Sequence, residues 1–360
     1  MDKNPISQKI EQAILQGVFP GAVLLCAIDQ KIIFHESYGM ADIFKKKEMR
    51  KNSIFDLASL TKPLATTLAL SKLIEKGKIC LNQKIGSILK EFKTCEKADI
   101  TIDMLLRHTS GYPAHREYFK KMIQKNKNPR QYLRQLLVQE TLETKIDACQ
   151  VYSDLGFMVL SWIIETITGQ RLDQYVFEQI YSPLEIEKLF FIDLDQKDEI
   201  LSQYQQKMVA TQICPWREKL LKGEVDDDNA WAAGGIEGHA GLFGTAGAIY
   251  KLCHEILNAL LNKPTKTVAP NIIKAFVQRK NQYDRVAGFD TPSKENSSSG
   301  HYFSSSSVGH LGFTGTSFWI DPETSLIIIF LTNRVHPLRS NESIKQFRPQ
   351  IHDLIVSQLL

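Results

Sequence analysis

No run in this sequence approaches the roughly 18–20 consecutive apolar residues that a membrane-spanning helix requires. The first segment, "MDKNPISQKIEQAILQG", has no apolar core of signal-peptide type, so the expected location is the cytoplasm and no membrane partner is expected. Charge of one sign is scarce as well. Forty-four Lys and Arg against 40 Asp and Glu leave a net charge of +4, mixed along the chain, whereas nucleic-acid binding needs a concentrated basic face. The six cysteines form no C-x-x-C pair and the nine histidines no H-E-x-x-H, which removes the common zinc signatures. Free, partly buried thiols are expected, and no metal or organic cofactor.

What the chain does have is a core. Hydrophobic residues make up 43% of 360 positions and charged residues 23%, the balance of a globular protein with one large or two medium domains. "GAVLLCAIDQKIIFHESYG" reads as two strands joined at Asp29-Gln30, and "FTGTSFWID" with "SLIIIFLTN" as a second strand pair near the C-terminus. A short helix precedes the first pair, with Ile6, Ile10 and Ile14 on one face and Gly17 as its stop, and "SIKQFRPQIHDLIVSQLL" closes the chain as another. Between them the pattern is helical: Ser59 to about Lys76, "TIDMLLRH", "PRQYLRQLLVQE", "DLGFMVLSWIIETITG" and "AGAIYKLCHEILNALLN". The expected fold is α+β. An antiparallel sheet from both termini (1–54 and 236–360) is flanked by helices, a mainly helical lobe (55–235) is inserted into it, and the active site lies between them. Residues 197–238 and the Ser-rich stretch "DTPSKENSSSGHYFSSSSVGH" read as loops.

The chemistry begins at "FDLASLTKPLATTLALSKLIEKGKI". Ser59 and Lys62 are three apart, so on a helix they share a face, with Cβ atoms roughly 5–6 Å apart. A serine hydroxyl is a poor nucleophile unless a neighbour takes its proton or stabilises the alkoxide. A lysine withdrawn from water can serve, because burial favours its neutral form. Pro63 is tolerated only in a first turn, which puts Ser59 at a helix mouth, where free N–H groups favour negative charge. By itself the tetrad equally describes a capping serine and a solvated lysine. Two further clusters lie in order after it: "VYSDLGF", with Tyr152 and Asp154, and "GHLGFTG", with His310 and Gly312.

With these three boxes, S-x-x-K, Y-S-D and H-x-G, the chain resembles the serine β-lactamase and penicillin-binding-protein superfamily, in its class C-like branch. "LLRHTSGYP", "GGIEGHAGLFGTAG" and "NRVHP" extend the resemblance over nearly the whole length, towards a subgroup that contains muropeptide amidases. The resemblance implies an acyl-enzyme on Ser59, with Lys62 activating and Tyr152 moving protons. It implies an oxyanion hole from the backbone N–H groups of Ser59 and Phe313, with His310 across the cleft on the substrate's acyl side; Gly312, Asp154, Tyr112 and His239 are further expected substrate contacts. His239 reads equally as the anchor of a glycine-rich turn, His108 as a helix-end tie, and Trp216 and Trp231 as local packing or as a sugar-stacking surface.

Two boxes depart from the lactamase pattern. Asp154 stands where an asparagine is usual, and His310 where a lysine is usual, so amide donors and positive charge are lost. A less anionic ester or amide is therefore expected as substrate in place of a β-lactam. The reading that follows is a serine hydrolase acting on a small molecule or peptide, as an amidase or peptidase. A carboxylesterase and a non-catalytic scaffold of the same fold are the alternatives.

Overall fold

Asn4 caps the first helix, Pro5–Leu15, by accepting the Ile6 N–H, and Gly17, at φ +73°, ends it. The structure is a computed structural model that describes residues 4–124, 128–280, 283 and 285–359. Asp29 and Gln30 both adopt positive φ, so the first hairpin turns through the two-residue geometry that matches strand twist, without glycine.

Six antiparallel strands form the main sheet. In spatial order they are Lys47–Glu48, Lys31–Asp42, Gly21–Ile28, Leu326–Thr332, Thr316–Asp321 and Val308–Leu311, so both chain ends contribute to one sheet. Its central strands are apolar throughout because both faces are covered. Leu24, Cys26, Ile328 and Phe330 face the first helix and the last, Ile344–Leu359. Val23, Leu25, Ile327 and Ile329 face the main core, which includes helix Ala246–Leu260. The period-two alternation is present but hidden in a run where every residue is apolar.

Helix Asp154–Thr168 buries every residue from Leu155 to Ile164, as a helix apolar all round must. Ser153 caps it by accepting the Gly156 N–H, and Gly169 closes it at φ +70°. Tyr152 and Asp154 are thereby held at its N-terminal end.

Two expectations are corrected. The stretch from Ser59 to Lys76 is not one α-helix. It is a 3₁₀ turn, Ala58–Leu60, then a widened π-type segment, Lys62–Thr67, and only then α-helix, Leu68–Glu75. Pro63 carries no N–H, and the wide turn adjoins the site, as such turns commonly do. Residues 197–238 are not one loop. They contain helix Lys197–Tyr204, the paired strands Ala210–Cys214 and Lys219–Lys222, and helix Asp228–Ala232. Met208, Val225 and Ala230 give this segment a small core with Ile54, Ile192 and Phe243, formed from apolar residues too dispersed to show a period. The Ser-rich segment is irregular but pinned: Ser304 bonds Asp321, and His301 bonds Asp353.

Candidate active site

Ser59, Tyr152, Asp154, His310, Gly312 and Phe313 come together on one cavity of about 610 Å³. Ser59 sits on the 3₁₀ turn, whose first residue, Ala58, is held at φ +48°. That left-handed conformation costs a non-glycine residue about 1–3 kcal/mol, which surrounding bonds must offset. The Asp56 carboxylate accepts the Ala58 N–H at 2.9 Å, and the Leu57 carbonyl accepts the Thr316 hydroxyl at 3.0 Å. The H-x-G strand therefore abuts the serine turn. Gly312 permits the approach, since a Cβ there would lie 2.0 Å from Thr316 Oγ1 and 2.6 Å from the Leu57 carbonyl.

Lys62 is completely buried. Its ammonium donates to Ser59 Oγ at 3.0 Å, Asp154 Oδ1 at 2.7 Å and the His239 carbonyl at 3.3 Å. Burial pushes the Lys62 pKa down. The charges and hydrogen bonds of Asp154 and Tyr152 outweigh burial, so the group lies above the ordinary lysine value. This corrects the expectation of a lysine made neutral by burial: the carboxylate that replaces the usual asparagine keeps Lys62 charged. Burial likewise pushes the Asp154 carboxyl up, but the Lys62 ammonium and a hydrogen bond from His115 hold it well below the usual carboxylate range. Asp154 thus has no proton to donate to a substrate. Its second oxygen meets His115 Nδ1 at 3.2 Å.

Tyr152 is a phenol at rest. Burial raises its pKa, against the pull of Lys62 and Ser59. Its ring lies between His108, with centroids 4.7 Å apart, and the Arg285 guanidinium, 5.1 Å from the ring centre. His310 donates from Nδ1 to the Leu311 carbonyl at 2.8 Å, which leaves Nε2 with its lone pair. Burial pushes its pKa down to about 4. An activity that requires neutral His310 is therefore expected to fall near pH 4, not near 6.5. His310→Gln should remove that limb from the profile of kcat/KM, and a limb that survives the substitution belongs to another group.

Other expected site residues lie elsewhere. Tyr112 does not face the cleft: it is 1% exposed and its hydroxyl donates to the Leu137 carbonyl at 2.9 Å. Gly111, at φ +84°, turns the chain so that Tyr112 enters the helical core. His239 is also buried. Its ring meets Asp227 Oδ1 at 3.0 Å and its carbonyl takes a Lys62 proton, so it anchors the glycine-rich turn and does not line the cavity. His108 ends helix Ile102–Leu106 at φ +61° and accepts the Ser153 N–H, as a helix-end tie would. Trp216 and Trp231 clasp Arg217, each ring centre 4.9 Å from the guanidinium carbon, so their role is packing.

The sequence reading missed one wall of the cavity, made by Arg334, Arg339, Lys345 and Arg348. Arg339 pairs with Asp226 and Asp228. Arg334 spends its bonds on carbonyls, of Phe313, Arg339 and Asn341. Arg348 is 5% exposed and its buried Nε has no hydrogen-bond partner among the described residues. Burial and the Arg334 charge push its pKa down to about 10. A signal for it did exist: Ile344, Arg348, Ile351 and Ile355 recur at helical spacing, which places an arginine on the apolar stripe. His115, in a loop without periodicity, left no such trace.

A profile of the Beta-lactamase family matches residues 6–352. The chain belongs to that family. Among the curated relatives of this Beta-lactamase-family protein is an N-acetylmuramyl-L-alanine amidase of Bacillus subtilis (strain 168), 31% identical, with 92% of this chain and 80% of the relative aligned. A protein described as a candidate D-alanyl-D-alanine carboxypeptidase of Escherichia coli (strain K12) is 28% identical over 92% of this chain and 82% of its own. The solved structure of EstCE1, a hydrolase with promiscuous acyltransferase activity, superposes with a TM-score of 0.74 at 20% identity. It covers 96% of this chain and 97% of its own, a likeness of fold. Among the described residues no helix is long and apolar enough to cross a membrane.

Proposed function

We propose that this chain is a serine hydrolase that cleaves an amide through an acyl-enzyme on Ser59, and that its substrate is a muropeptide or short peptide carrying a carboxylate. The observation that carries the reaction is the contact set at Lys62, which joins Ser59 to a buried ion pair beside Tyr152. With Lys62 charged and Tyr152 protonated, neither is a free base, so the proton moves by relay. Ser59 Oγ attacks the carbonyl carbon and passes its proton to the Tyr152 oxygen. Tyr152 passes its own to the leaving nitrogen, which departs as a neutral amine. Lys62 stabilises the charge that develops on the phenol oxygen. Water then attacks the ester, returning a proton through Tyr152 to Ser59 and releasing the acid. The N–H groups of Ser59 and Phe313 face the developing oxyanion, where one donor is typically worth about 2.7–4 kcal/mol. Arg334 supports the second by holding the Phe313 carbonyl at 2.8 Å.

The choice of substrate rests on Arg348. Its buried Nε has no hydrogen-bond partner among the described residues, and a guanidinium buried in that state is costly unless a ligand supplies an acceptor. This reverses the electrostatic expectation from the H-x-G box, because the positive charge missing at His310 is present on the last helix. The names of the amidase and carboxypeptidase relatives agree with an acyl-amino-acid substrate. The test compares a muramyl-peptide amide with a neutral short-chain ester. Arg348→Gln is expected to raise KM for the amide about 10–100-fold, the range for losing a charge-assisted bond, with little change for the ester. Equal effects on both, or preference for the neutral ester in the wild type, would favour a carboxylesterase.

A further inference from the structure

Asp56 is a buried carboxylate that none of the three sequence boxes contains. It is 3% exposed, on the short strand Phe55–Asp56, which pairs with Leu242–Gly244. One oxygen accepts the Ala58 N–H at 2.9 Å and the other accepts the Asp226 N–H at 2.6 Å. Its carbonyl accepts the Thr314 hydroxyl at 2.7 Å. One residue thus ties three pieces of the cleft: the strained turn that presents Ser59, the turn that presents Phe313, and the segment that carries Asp226 and Asp227.

We infer that Asp56 is a positioning residue for the oxyanion-binding face of the cleft, and that its ionised form is the one that holds this face in place. A carboxylate accepts strongly on both oxygens; protonation turns one of them into a hydroxyl, a weaker acceptor whose proton must turn away from the N–H it faces, so one of the two bonds is loosened. The inference rests on the hydrolase reading above. The charged groups near Asp56 are Asp226 and Asp227, with Arg339 and Arg217 acting on Asp226 from behind. Strand Leu242–Gly244 and the turn at Thr314 bring no titratable side chain. Burial first, and then the charge of Asp226, raise the Asp56 pKa to about 7. The clamp therefore tightens as pH rises through about 7. The sign for stability is opposite to that for activity. A raised carboxyl pKa means that ionisation disfavours the folded state, so stability falls as pH rises from the unfolded value towards the folded one.

The test needs no natural substrate. The rate of phosphonylation of Ser59 by a fluorophosphonate is measured from pH 5 to 9, in the wild type and in Asp56→Asn. The wild-type rate should rise about 10-fold or more through pH 7. Asp56→Asn, with one acceptor oxygen at every pH, should be slow throughout and lack that rise, while being at least as stable as the wild type at pH 8. A structural role alone would lower stability and leave the pH profile intact. A wild-type rate that is flat across pH 7 overturns the role of Asp56 while leaving Ser59 as nucleophile. Absence of labelling at any pH overturns the hydrolase reading and this inference with it.

Discussion

Ser59→Ala is expected to lose turnover by on the order of 10⁴-fold or more, the range seen when an acyl-enzyme nucleophile is removed. The same fluorophosphonate should add one group to the wild type, on the peptide that contains Ser59, and nothing to the variant. The fold should survive, because Ser59 lies at the cavity wall, not in the core, and water entering from the cleft can take the Lys62 proton it released. Its thermal transition should therefore stay close to that of the wild type. A folded Ser59→Ala that still turns over, or an adduct on another residue, would remove the assignment of the nucleophile. An unlabelled but well-folded wild type would favour a scaffold that has kept the fold.

Asp154→Ala is expected to cost about 3–5 kcal/mol of stability, the usual penalty for leaving one member of a buried ion pair behind. It should also slow acylation by about 100-fold or more, since the Lys62 ammonium that stabilises Tyr152 would lose its anchor. Lys62 is fully buried and Asp154 18% exposed, so solvent can take over little of the lost interaction. The pH dependence follows from both partners. The depressed Asp154 contributes stability above the unfolded carboxyl value of about 3.9 and loses it as pH falls through its folded value. The raised Lys62 contributes below the unfolded lysine value of about 10.4 and loses it as pH rises through its own folded value. Wild type and variant should thus differ most between about pH 4 and 10 and converge at both ends, as read by urea unfolding. A difference that stays the same below about pH 4 and above about pH 10 would mean that the ion pair is not what keeps Lys62 buried. Asp154→Asn, which restores the usual residue of the box, should lie between the two.

Much of the fold was legible because its signals are local. Glycines at 17, 77 and 169 end helices at positive φ, and the two strand pairs at the ends of the chain are marked by apolar runs around short turns. The three boxes were legible as an ordered pattern, and Ser59, Lys62, Tyr152, Asp154 and His310 do meet. The failures share a cause. Tyr112 and His239 stand beside recognisable motifs, but which way a side chain turns depends on the φ of a neighbouring glycine and on the partners that meet it. The segment 197–238 hid a helix and a strand pair because its small core is completed by residues from elsewhere in the chain, Ile54 and Phe243 among them.

The sequence by itself determined which residues can do chemistry, the order of the boxes, and the sheet shared by the two ends of the chain. These follow from residue type, spacing and turn propensity, all properties of neighbours in the chain. The protonation of that chemistry was decided by the tertiary structure alone. Whether Lys62 is an amine or an ammonium depends on Asp154, 92 positions away, and whether the cleft attracts an anion depends on Arg348, whose buried Nε has no partner among the described residues, and on Arg334, whose guanidinium bonds carbonyl oxygens. Electrostatic energy depends on distance and burial, and neither is written in the local pattern of a chain.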